Sequence, residues 1–145
     1  MLPTLTILAA IFFTPPPGYV TVTLSGKVVE LSAAIKGFKI EADREPIEKQ
    51  VALVTPDGAI VPLISDEASR AFFLDSRMRD RKAELVGRRY PGLPFLQVLS
   101  FKVEDGGTLR TPEYYCEICA ISVRYPQICP CCQGDMVLRM KDEGR

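Results

Sequence analysis

Histidine is absent from all 145 residues. Its absence excludes serine–histidine and cysteine–histidine catalysis, and haem attachment through Cys-x-x-Cys-His. Net charge is absent as well, because 18 basic side chains balance 18 acidic ones. Nucleic-acid affinity rests largely on a surplus of basic groups meeting phosphates, and this chain has none. Tryptophan is missing throughout, cysteine is missing before Cys116, and charged side chains are missing before Lys27. The chain is nevertheless 47% hydrophobic and 25% charged, a globular rather than a disordered composition. Its length suits one domain with a small appendage.

Cysteine is the most informative residue type present. All five stand in the last third, as Cys116-Glu117-Ile118-Cys119 and Cys129-Pro130-Cys131-Cys132-Gln133-Gly134. Two thiolates three positions apart make a knuckle, and two knuckles close a tetrahedron around one metal ion. Backbone amides in such a turn point at the sulfurs and steady their negative charge. Pro130 and Gly134 suit the tight turn of the second knuckle. Cys129 with Cys132 repeats the two-residue gap of Cys116 with Cys119, so the expected ligands are Cys116, Cys119, Cys129 and Cys132. Cys131 is then a surplus thiol. It can replace Cys129 or Cys132, or serve as a small buried apolar residue. Two disulfides plus one free thiol is the alternative, and the odd count and close spacing speak against it.

These residues resemble a zinc ribbon, and equally the knuckle pair of rubredoxin. The resemblance covers residues 111–145 and implies Zn²⁺ in a structural site, with Fe as the alternative metal. Nine residues, 120–128, separate the knuckles, so any hairpin between them is short. A catalytic zinc keeps one position open for water and usually takes histidine or carboxylate ligands. Four matched cysteines leave no such vacancy.

Residues 1–18 form a hydrophobic N-terminal segment. Its apolar run, residues 5–13, has the length of a signal-peptide core but not the roughly twenty residues that span a bilayer. Pro15-Pro16-Pro17-Gly18 follows and stops any helix. No Lys or Arg precedes the run, and no small-x-small cleavage site stands out. The segment is read as a possible signal peptide or a membrane-associated tail, which places the protein outside the cytoplasm or at a membrane. A cytoplasmic protein with the run packed against its domain is the alternative.

Residues 19–110 read as mainly β. A long strand over residues 19–31 contains Gly26, which marks a bulge or bend. Two short apolar runs, residues 50–55 and 59–64, flank the hairpin punctuation Pro56-Asp57-Gly58. Ser65 can cap a helix whose apolar side is Ala68, Ala71, Phe72 and Leu74. Strands over residues 82–89 and 95–103 follow, and Leu109 begins a short extension. Residues 33–49 read as a loop. Five strands with one helix between strands three and four resemble an OB-fold, a barrel that removes its edges by closing on itself.

Function is less legible than fold. OB-folds often bind oligonucleotides or oligosaccharides, but three acids interrupt the basic stretch at residues 70–89. The aromatic platforms that single-strand binding needs are not evident either. Tyr114 and Tyr115, just before Cys116, are expected to pack the metal lobe onto the barrel. No pair of acids announces itself as catalytic, and Glu45, Glu48 and Asp57 read as ordinary loop residues. The expectation is a non-enzymatic zinc-binding scaffold or binding module, with an unknown protein or ligand on the barrel face. A thiol-redox or metal-carrier protein is the alternative, with single-stranded nucleic-acid binding as a further one.

Overall fold

A computed structural model describes residues 18–141. The apolar run at residues 5–13, and with it the export expectation, lies outside the described residues. Among the described residues, no helix is long and apolar enough to cross a membrane.

The described residues form two antiparallel sheets. The first takes strands β1 (Val20–Glu30), β2 (Val51–Val54), β3 (Ile60–Pro62), β4 (Lys82–Arg89), β5 (Leu96–Asp105) and β6 (Thr108–Arg110). Their spatial order is β3-β2-β1-β4-β5-β6. The sheet therefore has six strands where five were expected, because the extension at Leu109 pairs with β5 as a full edge strand. One isolated parallel bridge, Leu63 to Leu96, joins the end of β3 to the start of β5. Ile64 N–H donates to the Leu96 carbonyl there at 3.0 Å. The sheet curls far enough for that meeting, but the described residues form no closed ladder.

β1 owes its length to having two successive partners. Residues 20–27 pair with β4, while residues 27–30 pair with β2. Gly26 stands where the strand passes from one to the other. A Cβ at that position would lie 2.3 Å from the Val54 carbonyl oxygen, so any side chain there would push β2 away. The expected bend is thus a close backbone approach, and the sheet's bulge sits elsewhere. Register slips between β4 and β5 at Val86 and Gly87, which lets Leu96, Val98, Phe101 and Val103 all face inward despite the three-residue step from Val98 to Phe101.

The connection at residues 33–49 is not plain loop. It holds α1 (Leu31–Ala34), a 3-10 turn (Lys36–Phe38) and α2 (Arg44–Glu48). Leu31 N–H bonds the Gln50 carbonyl at 2.8 Å and closes the excursion at its base. The expected helix between β3 and β4 is the short α3 (Arg70–Leu74). Ser65 does not cap it. Ser69 is the buried hydroxyl at its start, donating to the Ile64 carbonyl while its own N–H bonds Asp66 Oδ1. Ala68, Ala71 and Phe72 are buried as expected, but Leu74 is 58% exposed. The inward side of this short helix is set by Ala71 and Phe72, and Leu74, its last residue, lies off that side.

The second sheet has the order β8-β7-β9, from β7 (Pro112–Cys116), β8 (Ile121–Val123) and β9 (Val137–Met140). It packs against the same core as the first. Tyr114 of β7 is buried in the cluster with Val28, Leu53, Phe72, Leu85 and Val103, and Val123, Tyr125, Leu138 and Met140 lie against that cluster.

Candidate metal centre

The two knuckles fold alike. In the first, Cys116 ends β7 and Cys119 closes the turn into β8. In the second, Cys129 and Cys132 sit in the turn that precedes β9. The residue after each pair, Ala120 and Gln133, has positive φ (55° and 59°). Each donates its N–H to the carbonyl of the first cysteine of its pair, at 2.9 Å in both knuckles. Gly134 was the expected turn residue, but Gln133 holds the left-handed position. Gly134 instead accepts the Cys129 N–H at 2.9 Å.

The four sulfurs of Cys116, Cys119, Cys129 and Cys132 lie within 4.8 Å of one another. Cys116 and Cys132, from different knuckles, are 3.5 Å apart. Sulfurs at the corners of a tetrahedral Zn–S site of about 2.3 Å radius stand about 3.8 Å apart. The cluster thus has the dimensions and donor chemistry of a metal site. None of the five cysteines is in a disulfide. Amides of Cys132 and Cys131 aimed at Cys129 hold its thiol down to about 6, favouring the thiolate that binds metal. Cys119 is pushed the other way by the thiols of Cys131 and Cys132 beside it. Cys131 stands outside the four-sulfur cluster and is exposed, which corrects the expectation of a small buried residue. It stands in an open turn between Pro130 and Cys132, which are exposed as well.

A buried polar link ties this lobe to the first sheet. Tyr114 Oη donates to Asp75 Oδ2 at 2.6 Å, and Arg77 grips the same carboxylate through Nε and Nη2 at 2.7–3.1 Å. Burial alone would raise the Asp75 carboxyl, but these hydrogen bonds outweigh it and hold it at about 2. Tyr114 is pushed up by burial and by that carboxylate. On the lobe's other edge, the buried Glu113 accepts from Arg139 at 2.6 Å and pairs with Lys141 at 3.2 Å. Tyr114 accordingly does the packing expected of it, whereas Tyr115 lies under the Arg139 guanidinium, 3.4 Å from its centre.

Most arginines of the basic stretch at residues 70–89 are spent internally. Besides Arg77, Arg79 bonds the Phe72 carbonyl and pairs with Glu30, and Arg81 bonds the Glu104 carbonyl. Arg70 and Arg88 lie over Tyr125 and Tyr19. Asp75 and Arg77 carry no recognisable motif, and the sequence offers no signal for a partner 39 residues away. Comparison with protein-family models, with curated proteins and with solved structures finds no match for the chain.

Proposed function

We propose that this protein is a non-catalytic binding or scaffold module whose C-terminal lobe is shaped by a structural Zn²⁺ on Cys116, Cys119, Cys129 and Cys132. The single observation that carries this reading is the convergence of four thiols, two from each knuckle, within 4.8 Å. Four sulfurs fill a tetrahedron and leave no place for substrate or water, as structural zinc sites do. Zinc is favoured over iron because the ribbon-like arrangement needs only a closed tetrahedron, although iron fits the same donors. The first sheet is read as an OB-like barrel, supported by the order β3-β2-β1-β4-β5 and the parallel bridge from Leu63 to Leu96. With most of its arginines engaged internally, its partner is read as a protein or small ligand rather than a nucleic acid. Export or membrane association is proposed from residues 1–18. Fractionation of cells carrying the tagged full chain, with Leu8→Asp as control, checks it: both versions staying in the cytoplasm would refute it.

The metal reading is tested by metal content and thiol titration on the purified full chain. One zinc per chain and one readily titrated thiol are expected, with Cys119→Ser losing the metal and Cys131→Ser keeping it. An iron-type visible spectrum would replace zinc with iron. A second reading, thiol exchange or metal transfer, draws on one feature: the exposed Cys131 beside Cys119. Metal-free protein whose disulfide cycles with a mild reductant would favour it.

A further inference from the structure

The face of β1 turned away from the core borders a groove of about 770 Å³, within the size range of small-molecule sites. Its lining is mostly aliphatic: Val29 of β1, Ala34 of α1, Val54, Ile60 and Leu109, with Phe38 at the side and 63% exposed. Lys27 and Lys82 also line it, and they are direct cross-strand neighbours on β1 and β4. Like charges placed opposite one another on adjacent strands destabilise a sheet. Among the described residues neither lysine has an ion-pair partner. Asp57, in the hairpin turn beside the groove, is hydrogen-bonded to Thr55 instead.

From this pairing of an aliphatic trough with two unneutralised cations we propose that the groove binds an amphipathic anion of the fatty-acid class, with its acyl chain over Val29, Val54 and Ile60 and its carboxylate at Lys27 and Lys82. The proposal rests on the binding-module reading and supplies its ligand. A single-stranded nucleic acid fits less well, because among the described residues Phe38 is the one aromatic in the lining and successive bases need successive stacking platforms.

Calorimetric titration of the full chain with dodecanoate, below its micellar concentration, tests this. One molecule per chain should bind, and decanoate, two methylenes shorter, should bind about tenfold more weakly. Lys27→Glu combined with Lys82→Glu should weaken dodecanoate at least tenfold while leaving uncharged dodecanol unchanged. Ala33→Trp, at an exposed position on the groove wall, should weaken both. Metal content measured on the same samples should stay constant, which separates failure of the groove from failure of the metal reading. The proposal is overturned if the unaltered chain does not bind dodecanoate, or if both variants bind as it does. Binding that emerges only in Ile11→Asp would also overturn it, by making the chain's own apolar run the occupant. So would uptake by phosphatidylglycerol vesicles without binding of free dodecanoate.

Discussion

β4 places two side chains in the core, Ala83 and Leu85, and β5 places four, Leu96, Val98, Phe101 and Val103, whereas no residue of β8 or β9 is buried. The first sheet is held by apolar burial, which sums over many side chains and needs no ligand. The second sheet has one well-buried strand, β7, and otherwise short strands with half-exposed faces. Its remaining order has to come from the thiol cluster and from the few side chains that reach into the neighbouring core. Small lobes that cannot bury enough surface are commonly stapled in this way.

The largest expected effect is removal of the proposed metal. Structural zinc contributes about 10–16 kcal/mol in small zinc-dependent peptides, comparable with the whole stability of a domain. Chelation should therefore abolish amide-exchange protection in β8 and β9 while β1, β4 and β5 keep theirs. Equal loss in both sheets would mean that the two regions fold as one unit and that the contrast between them is false. Acid should mimic chelation, since protons compete for the thiolates.

Phe72→Ala attacks the other side of the comparison. Phe72 is fully buried, with its ring centroid 4.3 Å from that of Phe101, and its truncation should cost about 3–5 kcal/mol. Denaturant unfolding should show the loss, with metal content unchanged in the protein that remains folded.

Tyr114→Phe tests the link between them. It removes a hydroxyl from a buried carboxylate and should cost about 1–3 kcal/mol. The pH dependence has a definite sign. Asp75 at about 2 lies below its unfolded value, which is about 3.9. Its contribution is complete above about pH 4 and is lost as pH falls through about 2. In Tyr114→Phe the loss should be complete at a higher pH, because one of the bonds that holds the carboxyl down is gone. Near-UV circular dichroism during acid titration measures this, and an unshifted midpoint would show the link to be unimportant.

The smallest effect is expected at Arg139→Gln. Its side chain is about half exposed, and Glu113 keeps Lys141 when it is removed, so a loss of about 1 kcal/mol or less is expected. A larger loss in thermal unfolding would mean that the lobe's edge, and not its metal centre, holds β9 in place.

Local signals in the sequence were enough for the features that depend on neighbours along the chain. The strand at residues 82–89 coincides with β4, and Pro56-Asp57-Gly58 makes the β2–β3 turn, with Gly58 at φ 86°. The pairing of thiols within each knuckle was legible for the same reason, since each is a turn of a few residues, whereas the meeting of the two knuckles goes with the pairing of β7 and β9. Tertiary structure decided the rest. The register slip at Val86 and Gly87, the sixth strand, the exposure of Leu74 and the union of Asp75 with Tyr114 all depend on which surfaces meet after the chain has folded. So does the groove over Lys27 and Lys82, two residues that are 55 positions apart and share a rung only because β1 lies between β2 and β4. Periodicity tells a strand which side to bury, but its partner and its register are chosen by the packing of the whole sheet.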